Sequence, residues 1–217
     1  MNVSEAVETR RTTRDFLPDA IDDDTIRELL EKASRAPSGG NLQPWRIWVI
    51  NGDSMADFRQ HMADTPASTT MEYNVYPPKL WDPYRTYRYE NGEQLYATIG
   101  IDRDDKPARL QQFARNMDFF GAPASIFCFI DRNMGQPQWS DLGMFLQTFM
   151  LLATEAGYAT CAQEAWASAH EQVRSFTGAP EELMLFCGVA IGKANPDHVI
   201  NTFVSERVSV DDFATFL

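Results

Sequence analysis

The chain has 217 residues, 44% of them hydrophobic and 23% charged, a composition that can bury a core and excludes disordered and fibrous proteins. Its 19 Lys and Arg residues stand against 31 Asp and Glu residues, and the resulting net charge of −12 opposes the phosphate backbone of nucleic acids. We therefore expect no nucleic-acid partner, while the length allows either one domain or two small ones.

The first half of the chain shows patterns typical of helix, loop and strand. Ser4 is a predicted N-cap, and so is Asp22, after which apolar residues recur at helical spacing until Pro37 ends the helix. A polar glycine loop then opens onto an apolar run that an Asn-Gly turn closes. The predicted elements are a helix over 4–9, a helix from Asp22 to the residue before Pro37, a loop over 36–41 and a strand over 45–50.

Residues 61–100 differ from the rest, because they hold six of the seven tyrosines and show little periodicity. We expect a long structured excursion there, the aromatic-rich insertion. The elements predicted after it are a helix over 107–120, a buried strand over 124–130, a helix over 142–156 that is apolar almost all round, a helix from a Ser168 and Glu171 capping box to Gly178, a buried strand over 183–191 and an extended arm over 201–217.

No internal repeat or low-complexity linker divides the chain, so we expect a single domain over residues 1–217. The longest apolar run, residues 183–191, is about half a membrane span, and no apolar stretch follows the first charges. The sequence therefore predicts a cytoplasmic protein with no membrane partner. Cys128, Cys161 and Cys187 are widely spaced, which favours a reducing compartment over a disulfide framework.

Several common site motifs are missing. There is no dinucleotide-binding G-x-G-x-x-G, no P-loop and no G-x-S-x-G elbow. His61, His170 and His198 are scattered, and Arg174 stands where a zinc-protease helix beginning at His170 needs its second histidine. We expect surface histidines, no protein-held metal and no histidine-based triad.

Two polar segments could form a ligand site. Residues 10–14, R-R-T-T-R, hold three guanidinium groups suited to phosphate oxygens, although the same run could be a solvated turn that balances Asp22 to Asp24. Residues 37–45, P-S-G-G-N-L-Q-P-W, combine two glycines with polar side chains and would let the backbone approach a planar ligand. An ordinary loop between a helix and a strand is the alternative for this second segment.

These two segments, R-R-T-T-R-D-F followed by A-P-S-G-G-N-L-Q-P-W, resemble the opening of the FMN-dependent nitroreductase family. Later landmarks keep the same order over essentially the whole chain. They are Arg115-Asn116, Phe119 to Pro123, Asp141 before the apolar helix, Ala156 to Tyr158, Cys161 to Ala165, the strand ending at Gly192, and Arg207.

The resemblance implies an α+β protein with a three-layer α-β-α fold around a mostly antiparallel central sheet. It further implies a homodimer in which the C-terminal arm of each subunit completes the sheet of the other, with two FMN sites at the interface. No side chain is a certain catalytic residue, because N5 of FMN is the reactive centre. Arg14 and Glu164 are the residues expected to tune the flavin, although Arg14 could instead only bind phosphate or pair with Asp15.

The family pattern also assigns the cofactor-binding positions residue by residue. One departure is that Ser205 and Glu206 occupy the place where members often carry a second basic residue, which leaves more of the phosphate binding to Arg10 and Arg207. Arg11 could be only a neighbour of the phosphate. The expected FMN-binding residues are Arg10, Arg11, Thr12, Arg14, Pro37, Ser38, Asn41, Gln43, Glu164, Ala165 and Arg207.

The implied activity is NAD(P)H-dependent reduction of nitroaromatic or quinone acceptors, by ping-pong two-electron transfer through flavin N5. Alternatives are another flavin reaction, such as reductive dehalogenation of halophenols or flavin destruction, and a flavin-binding protein without turnover. Aromatic side chains would stack on the small aromatic acceptor, unless they only pack the insertion onto the core. The predicted substrate wall is Tyr76, Trp81, Tyr84, Phe119 and Phe120.

Overall fold

The computed structural model describes residues 1–217 and is built on one four-stranded antiparallel sheet in the order β1-β2-β4-β3. The predicted strands over 124–130 and 183–191 are confirmed as the two central strands, which explains their continuous burial. The strands are β1 Arg46–Asn51, β2 Ala124–Asp131, β3 Ala159–Gln163 and β4 Leu183–Gly192.

Helices cover both faces of this sheet. On β2, Ile126 and Cys128 belong to one apolar cluster with the helices Asp23–Ala33 and Gln136–Glu155. Phe127 and Phe129 belong to a second cluster with the helices Asp53–Asp64 and His170–Thr177. The helices are α1 Val3–Thr9, α2 Asp23–Ala33, α3 Asp53–Asp64, α4 Tyr84–Thr98, α5 Lys106–Ala114, α6 Gln136–Glu155, α7 His170–Thr177 and α8 Val210–Phe213. None of them combines the length and apolarity that a membrane span needs.

Several predicted helix ends are confirmed. The Asp22 side chain accepts from the backbone N–H of Asp24 and caps α2, and Gly178 ends α7 with φ of 65°, a left-handed conformation that glycine adopts without strain. The apolar helix begins earlier than predicted, at Gln136. Only one face of α6 is buried within the chain, while Met144 on another face is exposed.

Two predicted N-caps are wrong. Asn2, and not Ser4, caps α1, because its side chain accepts from the N–H of Glu5 at 3.0 Å. Ser168 and Glu171 form no capping box, since α7 begins at His170 and the N–H of Glu171 donates to Ser68 of the insertion at 3.1 Å. A distant side chain has taken the role that the local pattern assigned to Ser168.

The predicted helix over 107–120 is interrupted. It ends at Ala114 as α5, and a 3₁₀ segment follows in which Phe119 and Phe120 have φ of 49° and 55°. This turn directs both rings into the core, whereas Leu110 and Phe113 of α5 remain exposed. Helices α3 and α4 and strand β3 were not predicted. The arm over 201–217 has little regular structure and leaves Phe213 and Phe216 exposed.

Candidate functional site

A cavity of about 360 Å³ lies between the N-terminal segment, α6 and the arm. We call it the arginine cavity, because four guanidinium groups line it. Two of the sequence segments that suggested an anion site, 10–14 and the arm around residue 207, are therefore brought together. Among its lining residues are Arg10, Arg11, Thr12, Arg14, Gln147 and Arg207.

The backbone around the cavity is fixed by hydrogen bonds to β3 and to the start of the arm. The N–H of Thr13 donates to the carbonyl of Thr160 at 3.0 Å, so the N-terminal segment runs beside β3. Asn201 accepts from the N–H of Arg14 at 2.9 Å and donates to the carbonyl of Asp15 at 2.8 Å. These contacts hold residues 10–14 against the segment that leads to Arg207.

None of the four arginines pairs with a carboxylate. Desolvation lowers the pKa of Arg10, and the charges of Arg207 and Arg11 lower it further. The alternative pairing of Arg14 with Asp15 is wrong, because Asp15 accepts instead from Arg115 at 2.7 Å. In a chain of net charge −12, such an unpaired cationic cluster has the donors that suit an anion with several oxygens.

Strand β3 pairs with the N-terminal segment at Thr12, which lines this cavity. Burial raises the pKa of the Cys161 thiol to about 12, while the nearby Arg14 acts to lower it and Glu164 to raise it. Gln163 donates its amide to the carbonyl of Asn116 at 2.9 Å, which leaves its Oε1 buried without a partner. The segment that contains Glu164 and Ala165 follows β3 directly, but neither residue lines the arginine cavity within this chain.

The glycine loop is held in a strained conformation. Gly39 donates its N–H to the buried carboxylate of Asp141 on α6, at 3.2 Å and 3.3 Å to the two oxygens. Ser38 accepts from the N–H of Gln43 at 3.0 Å, and both Asn41 and Gln43 have positive φ, an arrangement that costs energy outside glycine. None of the predicted loop residues lines the arginine cavity within this chain, and Asn41 and Gln43 are exposed.

The predicted substrate wall divides into two groups. Tyr76, Trp81 and Tyr84 are each about half exposed and available to a ligand. Phe119 and Phe120 are 0% and 2% exposed, so they have no surface left for a substrate, and their assignment to the wall is wrong. The positive φ of both residues turns their rings into the cluster that also contains Trp166.

Sequence reasoning missed Gln147, which lines the arginine cavity from α6. Its signal was present, because Gln147 and Thr148 are the only polar side chains within the segment 142–153. The structure contains no group of three or more His, Cys, Asp or Glu side chains placed to hold a metal ion.

Comparison with known proteins finds a matching family and similar relatives. The model of the nitroreductase family matches residues 7–193. A 4-nitrobenzoate reductase from Nocardioides sp. (strain LMS-CY) is 33% identical, over 97% of this chain and 88% of its own length.

Several solved structures cover the whole chain, among them those of two proteins named NfnB. The FMN and NADPH-dependent nitroreductase NfnB from Sphigopyxis sp. strain HMH has a TM-score of 0.95 and 39% identity over 100% of this chain and 99% of its own. The FMN-dependent nitroreductase NfnB from Mycobacterium smegmatis, solved with NADPH, has a TM-score of 0.91 and 27% identity over 100% of both chains. These likenesses confirm the predicted α+β fold, whereas completion of the sheet by a partner's arm stays a prediction.

Proposed function

Because the chain belongs to the nitroreductase family, we propose that it is an FMN-dependent oxidoreductase that uses NAD(P)H to reduce nitroaromatic or quinone acceptors. The observation that carries the proposal is the arginine cavity, whose four guanidinium groups have no carboxylate partner. A phosphate dianion matches such a donor set, since arginine offers paired N–H groups to phosphate oxygens.

The residues of the cavity fit the phosphate end of FMN. Arg10 and Arg207 supply charge-assisted donors, and the Thr12 hydroxyl is a short additional donor. When bound, FMN supplies the redox chemistry, in which hydride comes from NAD(P)H and two electrons pass to the acceptor. Arg14 acts to lower the pKa of the Cys161 thiol on β3 more strongly than Arg10 does, so we assign to it the balancing of negative charge on the ring system.

We assign the glycine loop to the FMN site of a partner subunit. The side chains of Ser38, Asn41 and Gln43 lie outside the arginine cavity of their own chain. Asp141 nevertheless holds the loop in a strained conformation, which a loop that only contacts solvent would not need. A homodimer would bring this loop from one subunit to the cavity of the other. The exposed face of α6, next to Gln147, offers a surface for that contact.

The choice of acceptor follows from the relatives. The proteins named for 4-nitrobenzoate and nitrobenzene reduction are 33% and 29% identical over nearly the whole chain. Trp81 of the insertion is an exposed aromatic surface on which a flat acceptor could stack. We therefore place nitroaromatics first among acceptors and quinones second.

Purification followed by a substrate panel tests this function. The protein should retain FMN and should oxidise NAD(P)H in the presence of a nitroaromatic compound or a quinone. Donor and acceptor should compete for one face of the flavin, so double-reciprocal plots at several fixed donor concentrations should give parallel lines. A protein that binds no FMN contradicts the proposal, and so does one that turns over only a halophenol or only consumes its own flavin. Stable FMN binding without any NAD(P)H oxidation would indicate a flavin-binding protein instead.

A further inference from the structure

A second cavity, of about 600 Å³, lies between α4 and residues 206–208 of the arm. Arg207 lines both this cavity and the arginine cavity, so the two are neighbours. We call it the tyrosine cavity. Its walls include Tyr76, Tyr84, Tyr87, Arg88, Asn91 and Arg207.

Arg88 is a cation without a carboxylate partner. Its guanidinium lies 4.5 Å from the centre of the Tyr76 ring, and it forms neither an ion pair nor a hydrogen bond with any residue of the chain. Stacking occupies the flat face of a guanidinium and leaves the N–H groups at its edge free to donate. The tyrosine cavity therefore presents an oriented cation to an anionic group.

The rest of the wall fits a flat ring with polar substituents. Tyr76, Tyr84 and Tyr87 are 52%, 53% and 43% exposed, and α4 buries no residue in the core. These rings are free to stack on a ligand, as nucleic-acid bases do on aromatic side chains. The carboxylates of Glu90 and Glu206 also line the cavity, and they disfavour a bare phosphate but accept hydrogen bonds from hydroxyl and amino groups.

The position of the tyrosine cavity favours a nucleotide over a small acceptor as its ligand. Arg207 places it beside the phosphate end of the FMN site, where an acceptor that reacts at the ring system has no reason to reach. The far end of an extended dinucleotide does reach beyond the reacting ring. A purine, a ribose and a phosphate together match the tyrosines, the carboxylates and Arg88.

We propose that the tyrosine cavity binds the adenosine 2′-phosphate end of NADPH, with Arg88 bound to the 2′-phosphate, and that it makes the enzyme prefer NADPH to NADH. The assignment rests on the proposed function, because it takes the arginine cavity as the site of the FMN phosphate. Tyr76 and Tyr84 then contact the electron donor, whereas the sequence had assigned them to the acceptor.

The test compares Arg88→Gln with Arg103→Gln in the FMN-loaded protein. Arg103 is a matched control, since its guanidinium also lies over a tyrosine of α4, 5.4 Å from the centre of the Tyr89 ring, but lines neither cavity. The probes are 2′,5′-ADP and 5′-AMP, which differ only in the 2′-phosphate, with dissociation constants measured by calorimetry. The KM values for NADPH and NADH are measured in parallel.

The unmodified protein should bind 2′,5′-ADP roughly ten- to a hundredfold more tightly than 5′-AMP, as for a gained charge-assisted hydrogen bond. Arg88→Gln should remove that difference and raise the KM for NADPH at least tenfold more than the KM for NADH, while Arg103→Gln keeps both preferences. Equal binding of the two probes by the unmodified protein overturns the proposal, and so does an Arg88→Gln variant that still discriminates. Absence of FMN from the unmodified protein is a separate result, which contradicts the proposed function.

Discussion

Arg10 shows how a single side chain can signal a ligand. Burial lowers its pKa, and so do two neighbouring cations, so the folded chain holds this charge at an electrostatic cost that no carboxylate offsets. A bound phosphate would offset it. The cost is greatest in the flavin-free protein, and removal of Arg10 should therefore harm flavin binding far more than it harms folding.

Arg10→Ala should weaken FMN binding by roughly ten- to a hundredfold, because a charge-assisted hydrogen bond contributes about 1.5–3 kcal/mol. The flavin-free variant should melt no lower than the parent, since a repulsive neighbour has gone. Fluorescence titration and thermal melts measure the two effects. Arg85→Ala is the control, because Arg85 is exposed and pairs only with Asp82. Parental FMN affinity in Arg10→Ala would refute the phosphate assignment.

The three cysteines should be unreactive in the folded protein. Burial raises the pKa of Cys161 to about 12, and it also raises the pKa of Cys128 and Cys187, so each group stays a neutral thiol at pH 8. A reagent that modifies thiolates should therefore label none of the three cysteines until the chain is unfolded, after which all three should react. Rapid labelling of one thiol under native conditions would show that its surroundings are open.

At the scale of elements, one buried carboxylate is among the contacts that attach the insertion to the core. The Glu72 side chain is 1% exposed, pairs with Arg132, and lies 2.5 Å from Nδ1 of His170 and 3.8 Å from Arg174. The hydroxyl of Tyr73 donates to the carbonyl of Phe186. Because α4 buries nothing, these two residues position the part of the insertion that leads to the tyrosine cavity.

Glu72→Ala should lower the free energy of unfolding by about 1–3 kcal/mol, because it removes the carboxylate that contacts Arg132 and the partly buried His170. Urea denaturation measures the loss, and limited proteolysis should cut first within residues 66–83. Glu28→Ala removes a carboxylate from an exposed ion pair with Lys32 and should leave the free energy of unfolding nearly unchanged. Equal effects of the two substitutions would mean that Glu72 does not hold the insertion.

Local signals in the sequence were sufficient where the structure uses local contacts. Asp22 caps the beginning of α2 and Gly178 ends α7 as predicted, because cap and turn preferences act within a few residues. Ser168 failed because Ser68, from the insertion, binds the N–H that a capping box would use. Helix α4 was missed because it has no apolar face, and periodicity detects only helices that bury one side.

The candidate site could be predicted in part for the same reason. Arginine clusters and the glycine loop are visible in the sequence, but the depth of a side chain is not. Phe119 shows this, since only the positive φ in the folded turn directs it into the core. The tyrosine cavity also depends on the distance between α4 and the arm, which no local pattern encodes.

At the scale of the whole molecule, two surfaces lack a partner within the chain. Phe213 and Phe216 of the arm are 70% and 83% exposed. Strand β1 is at the edge of the sheet, and a groove of about 650 Å³ runs beside it, with Ile26, Leu30 and Val49 in its wall. An open strand edge readily accepts another chain. The proposed homodimer would cover both surfaces if each arm lies along the other subunit.

The double substitution of Phe213→Ser with Phe216→Ser should produce a monomer that binds FMN poorly, because the arm loses its apolar anchor on the partner. Arg207 is still present in this variant, so a loss of FMN would not come from a missing guanidinium. Light scattering coupled to gel filtration measures the mass, and absorbance measures the flavin. Circular dichroism should show an unchanged helix content, since neither side chain is buried within its own chain. A fully flavin-loaded dimer of this variant would refute the exchange of arms.

The central claim is that one flavin carries electrons from NAD(P)H to a nitroaromatic acceptor, and an anaerobic experiment in two steps tests it most directly. FMN-loaded protein is titrated with NADPH, freed of nucleotide by gel filtration and then mixed with nitrobenzene, while the visible absorption band of the flavin is followed. We predict that the band bleaches in the first step and returns in the second with no nucleotide present. A band that NADPH leaves unchanged, or that nitrobenzene does not restore, would contradict the claim.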